Sequence, residues 1–455
     1  MARVGILPLG RPTFDVPFAE EGLAAMLARL DETEHEIVGP RRLLFDGEAA
    51  EAALDELEAE QIDRLLVLQV TFTDAGVVAL AAERFSEPLE IWALPEPRLG
   101  GRLRLNAFCG LNLASHALGL RGRGFGWLFA APEGADVAGL LSGARAVGQV
   151  DPVPADAPAD PRFAGALRGR RIGRVGAHPD GFDTCAYDPA ALHALAGVEV
   201  AEIDLPDLFS AAHAATAEAT AALRHEAAGS VAELDAVDPD ELDRSLRLKL
   251  ALDDLRAARG VDAFAIRCWP ETFTEYGGAV CGPVSMMGTA RIPCACEADV
   301  YGAVTQLLLQ EVAGASVFLV DLVDVDIADD TAVVWHCGQA PAEMAAEPPR
   351  ATIHTNRRMP LLYEFRLKPG PVTVTRISQA RGRASLVIAE AEVLDRPMAF
   401  TGTSGVVRFA KPAADVLDAV IASGLEHHVA LAYGHHGHDL RAAAAALDLP
   451  VLELS

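Results

Sequence analysis

No stretch of this 455-residue chain approaches the roughly 18–20 apolar residues that cross a bilayer, so no membrane span is expected. The start, MARVGILPLGRPTFD, holds only a short apolar run broken by Pro8, which does not read as a secretory signal. Basic residues are scarce: 38 Lys and Arg stand against 65 Asp and Glu, a formal net charge of −27. Such a surface repels phosphate backbones and anionic lipid, so neither nucleic acid nor membrane is expected as a partner. Phosphate-cradling loops are missing as well. The turn GRPTFD lacks the Gly-x-Gly-x-x-Gly pattern, and no Gly-x-x-x-x-Gly-Lys-Ser/Thr occurs. Arg11 in that turn is expected at a surface or interface, where it serves substrate binding rather than catalysis. Seven cysteines, an odd number, favour a reducing cytoplasm over a disulfide framework.

What is present is 51% hydrophobic, enough for large cores. Short apolar runs (RVGILPL, RLLVLQV, LEIWALP) alternate with amphipathic segments (FAEEGLAAMLARLDE, GEAAEAALDELEAEQ, DAGVVALAAERF), as parallel βαβ units do. GQVDPVPADAPADPR, with four prolines, reads as a linker. The pattern then restarts with RRIGRV. In DPDELDRSLRLKLALDDLRAARG, Asp238 is the expected N-cap, Pro239 the first helical residue and Gly260 the stop. After QAPAEMAAEPP the period becomes two, in RATIHT, LLYEFRLKPGPVTVTRIS and RASLVIAEAEVLD, as in antiparallel strands. The expectation is an α/β chain of two doubly wound parallel-sheet domains, 1–160 and 161–312, and a β-rich domain, 313–455. No solenoid repeat is visible.

Cys294 and Cys296, with Cys268 and Cys281 upstream, are a weak zinc signal and read better as buried thiols. More informative are Glu297, where RIPCAC hands over to a helix, and Asp321, at the end of SVFLV. Ligands gather outside the carboxyl ends of strands, and the spacing of 24 residues fits one helix plus one strand, placing successive strand ends side by side. A helix-start acid and a turn acid account for both positions equally well. Asp324 and Asp326 are expected to be solvated. Five of the 13 histidines fall in EHHVALAYGHHGHDL. On a strand, His427 and His428 point to opposite faces. His435, His436 and His438 lie on the turn that follows. One imidazole with two carboxylates suits Mn²⁺ or a similar divalent ion with open positions.

Three blocks make the chain resemble the L-fucose isomerase family, within the fucose/arabinose isomerase group. CEADVYGAVTQLLLQEVAGASVFLVD is similar to its metal-carboxylate block, HHVALAYGHHGHDLRAAAAALDLPV to its C-terminal block, and RCWPETFTEYGGAVCGPVSMM to a substrate-pocket segment of short members. The resemblance implies metal ligation by Glu297, Asp321 and His428, with Glu297 and Asp321 also acting as acid and base. It implies Mn²⁺, or Mg²⁺ or Co²⁺, and an aldose–ketose interconversion through a cis-enediol. It further implies a homo-trimer or homo-hexamer with a small-molecule sugar as substrate. His427 then faces away and His435 sits at the pocket mouth. Trp269 is expected to stack on the sugar, and Glu271, Tyr276 and His336 to bind hydroxyls; ordinary core and turn roles explain each equally well. An anionic sugar such as sulfoquinovose is the alternative substrate, with Arg357 and Arg358, or Arg102 and Arg104, as candidate cations. A non-catalytic sugar-binding protein and a metal-dependent hydrolase are the rival functions.

Overall fold

A computed structural model describes residues 1–148 and 150–455; Gln149, inside the segment expected as a linker, lies outside the described residues. The first sheet is wholly parallel. It comprises β1 (Arg3–Leu9), β2 (Glu36–Val38), β3 (Arg64–Gln69), β4 (Leu89–Ala93) and β5 (Gly126–Phe129), ordered β2-β1-β3-β4-β5. β1, β3 and β4 read as unbroken apolar runs because helices cover both faces. The chain order reverses between β1 and β3, a switch point that leaves a crevice at their carboxyl ends.

A second parallel sheet holds β6 (Arg171–Val175), β7 (Glu199–Ile203), β8 (Ala263–Ile266) and β9 (Cys294–Cys296), ordered β7-β6-β8-β9. Its long helix, Pro239–Arg259, starts and stops where the sequence predicts. The Asp238 side chain accepts from the Asp240 and Glu241 amides, and Gly260 ends the helix at φ 60°.

The remaining strands are β10 (Phe318–Asp326), β11 (Thr331–His336), β12 (Arg350–Thr352), β13 (Leu362–Arg366), β14 (Gly370–Ser378), β15 (Ser385–Val393), β16 (Thr403–Phe409), β17 (His428–Tyr433) and β18 (Val451–Glu453). Antiparallel pairing runs β16-β11-β10-β17-β14-β15, and β15 pairs back to β16, so these strands close a barrel. Closure removes exposed edges. The fold class is thus α/β, two parallel-sheet units followed by a β-rich one.

Two helices join the units, and neither shows a clean amphipathic stripe. Ala107–Leu120 is buried along nearly all its length and packs on β4, β10 and the helix Ala413–Ser423. Its Asn112 and His116 side chains bond the backbone carbonyls of Leu425 and Gly424. Val300–Ala313 is buried from Val300 to Leu309 and wedges between β8 and the barrel strands β14 and β17. β9 and β10, which flank that helix in sequence, lie in different sheets. Their ends are not the neighbouring strand ends that the 24-residue spacing suggests; a buried helix touching both sheets brings them together. Asp321 also lies within β10 rather than at its end. Asp324, expected in solvent, is buried beyond a bulge and paired with Arg98 at 2.7 Å, because the bulge breaks the simple alternation. Among the described residues no helix is long and apolar enough to cross a membrane.

Candidate active site

Glu297 and Ala298 turn the chain out of β9 with successive left-handed conformations, φ 59° and 55°. Asp299 then caps the buried helix, its Oδ1 accepting from the Gly302 amide at 2.8 Å. This turn projects Glu297 toward the barrel. Glu297 Oε1 accepts from the Trp269 indole at 2.9 Å, and Oε2 lies 2.9 Å from His427 Nε2. Burial works to raise the Glu297 carboxyl, but the His427 hydrogen bond and the two neighbouring imidazoles outweigh it and hold the group down to about 2. It is a carboxylate throughout the neutral range.

The barrel supplies Asp321 and His428, which are direct cross-strand partners between β10 and β17. His428 Nε2 stands 3.5 Å from Asp321 Oδ1 and 3.8 Å from Glu297 Oε2. Its other nitrogen, Nδ1, lies 3.0 Å from Asp299 Oδ2. A carboxylate only accepts, so Nδ1 carries a proton, and in the neutral ring Nε2 turns its lone pair to the site. Asp299 is itself held by the buried Arg376. Burial opposes the Asp299 charge, and the guanidinium with His428 overrides it, keeping this carboxyl well below its usual range.

Among the described residues, four buried polar atoms lining the pocket find no hydrogen-bond partner: Asp321 Oδ1, His336 Nε2, His427 Nδ1 and Asn106 Oδ1. Native interiors rarely leave such atoms unpaired, so each marks a place for a bound group. His336 Nδ1 accepts the Cys337 amide at 2.9 Å, so the neutral ring carries its proton on Nε2 and presents a donor. Glu297 Oε2, Asp321 Oδ1 and His428 Nε2 instead present three acceptors. Asp321, His336 and His428 offer ligand atoms within 4.8 Å of one another, as do Cys185, Glu297, His427 and His428, and His428 is common to both groups. The oxygen-rich set of Glu297, Asp321 and His428 fits Mn²⁺ or Mg²⁺. Cys185 also borders Glu297, His427 and His428, and burial raises its thiol well above the ordinary value.

The site opens into a pocket. Glu297, Asp321, Trp269, His336 and Arg11 line it. Glu271 does not, being ion-paired with Arg267 at 2.7 Å. Tyr276 also points elsewhere: it ends the π-helical turn Thr272–Tyr276, stacks on Phe209, and its hydroxyl donates to the Arg244 carbonyl. His427, expected to face away, lines the pocket beside His428, with ring centroids 3.9 Å apart. The strand starts at His428, so two-residue alternation does not reach His427. His435 lies outside the pocket, exposed, with Nδ1 on Glu390. Of the candidate arginines only Arg357 lines the pocket. Arg102 bonds Asn356, Arg104 pairs with Asp15, and Arg358 is exposed. His354, Asn356 and Asn106 also line the pocket, and no local sequence pattern marks them as site residues.

Residues 5–147 match the family described as fucose/sulfoquinovose isomerase, N-terminal domain, and residues 362–455 that described as L-fucose isomerase, C-terminal domain. The class so defined is an aldose–ketose isomerase. A sulfoquinovose isomerase of Alkalicoccus urumqiensis is 30% identical over the full length of both chains. One of Clostridium sp. (strain MSTE9) is 32% identical over 98% of each, and one of Priestia aryabhattai 30% identical over 94% of each. The chain belongs to the L-fucose isomerase family.

Proposed function

We propose that this chain is a metal-dependent aldose–ketose isomerase working through a cis-enediol, with Glu297, Asp321 and His428 holding the ion. The observation that carries it is His428 Nε2 standing 3.8 Å from Glu297 and 3.5 Å from Asp321, with Asp321 Oδ1 left without a hydrogen bond among the described residues. A bound divalent ion would supply Lewis-acid polarisation of the carbonyl and neutralise developing negative charge. The chain's own groups do the rest. One of the two carboxylates, Glu297 or Asp321, takes the proton from C2, a proton is returned at C1, and the O2 hydroxyl proton passes to O1. His427 and Trp269 fix Glu297 by hydrogen bonds to both its oxygens. His336 Nε2–H donates to an oxygen of the substrate as charge develops on it. The Trp269 face, at the pocket wall, backs the sugar.

The names of the relatives support an anionic aldose, sulfoquinovose, ahead of a neutral one. An assembly of three or six copies in a reducing cytoplasm goes with the same proposal. The test is a ketose assay on Mn²⁺-supplemented protein. Asp321→Asn is expected to lower turnover by ~10²–10⁴-fold and to weaken Mn²⁺ binding by calorimetry. Full activity of that variant with Mn²⁺ bound would sink the assignment. Solvent deuterium entering product C1 supports the enediol, and complete retention of a substrate C2 label in the product favours a hydride shift.

A further inference from the structure

Arg357 is an odd cation in so acidic a chain. It is half-buried and lines the pocket, yet it has no ion pair and no side-chain hydrogen bond among the described residues. Its backbone anchors the turn, the amide donating to His354 Nδ1. Arg11 faces the same space from the carboxyl end of β1. One of its nitrogens is tied to Asp74 at 2.7 Å, and its guanidinium lies over Phe72. Both guanidinium carbons stand close to the Trp269 ring, Arg11 at 5.2 Å and Arg357 at 5.3 Å from the centroid.

Trp269 therefore borders both kinds of charge: its indole nitrogen donates to Glu297, and the two guanidinium groups stand at its ring, with Arg11 also within electrostatic reach of Glu297. Burial works against both arginine charges, and Arg11 adds to the cost at Arg357. Arg11 has its counter-ion in Asp74, but Arg357 faces it with none among the described residues, which is unfavourable unless something anionic enters. Planar guanidinium forks suit tetrahedral oxyanions.

We propose that Arg357 and Arg11 form an anion subsite that takes a tetrahedral oxyanion, sulfonate or phosphate, carried at the end of the sugar remote from C1 and C2. The substrate rests on the isomerase reading; the subsite does not. Inorganic sulfate titrated calorimetrically into the Mn²⁺-loaded full chain is expected to bind. Arg357→Gln should weaken that binding at least ten-fold, and Arg357→Lys, which keeps the charge but not the fork, by less. In turnover, the ratio of kcat/KM for sulfoquinovose to that for D-glucose should collapse in Arg357→Gln. D-glucose 6-phosphate run beside sulfoquinovose tells which oxyanion the subsite takes. Equal sulfate affinity in wild type and Arg357→Gln, or an unchanged selectivity ratio, overturns the subsite. Arg357-dependent sulfate binding in a protein that isomerises no aldose supports the subsite and removes the isomerase reading instead.

Discussion

Asp299 is the residue on which the site geometry turns, although it need touch neither ion nor sugar. It caps a buried helix, neutralises Arg376 and sets the tautomer of His428. Both ion-pair partners are only 1% exposed, so removing one charge strands the other. Asp299→Asn is expected to destabilise the fold by ~3–5 kcal/mol, read by urea titration. The same change should weaken Mn²⁺ binding by ~10–100-fold, read by calorimetry. Undiminished Mn²⁺ affinity would mean that the carboxylate does not orient His428. The sequence shows Asp299 only as an acid at a helix start. Its two further partners lie 77 and 129 positions away in the chain, and no local pattern announces them.

At the scale of elements, the turn from β9 into the helix Val300–Ala313 aims Glu297. Two successive non-glycine residues with positive φ are costly, and Ala298 is wholly buried. Ala298→Gly removes that cost and should keep or raise the urea midpoint. Ala298→Val places a branched side chain in the same conformation and should cost ~1–3 kcal/mol, with weaker Mn²⁺ binding as Glu297 shifts. Equal stability of the two variants would show that the strain is absent. The helix itself was legible as an element because its length and caps are ordinary. Its burial on both faces was not, since an all-apolar surface carries no direction. The helix Ala107–Leu120 escaped notice for the same reason.

Over the whole molecule, the proposed ligands tie the second parallel sheet to the barrel, Glu297 coming from one and Asp321 and His428 from the other. An ion bound there holds the two units together. Chelation is expected to lower the thermal midpoint, and Mn²⁺ to restore it, by an amount equivalent to ~2.7 kcal/mol at a hundred-fold excess over Kd. Asp321→Asn should show little response to either. A wild-type midpoint indifferent to chelator and Mn²⁺ would argue that no ion bridges the units.

By itself the sequence determined the α/β class and the boundaries of the capped helix Pro239–Arg259, and it offered Glu297, Asp321 and His428 as candidates. These rest on local signals: period, caps and residue types at short range. Only the tertiary structure decided which groups share the pocket. It drew in His427, His354 and Arg357, turned Glu271 and Tyr276 away, and buried Asp324. The reason is that side-chain direction depends on where a strand starts, on a bulge, and on partners from distant sheets. Period along the chain records none of these.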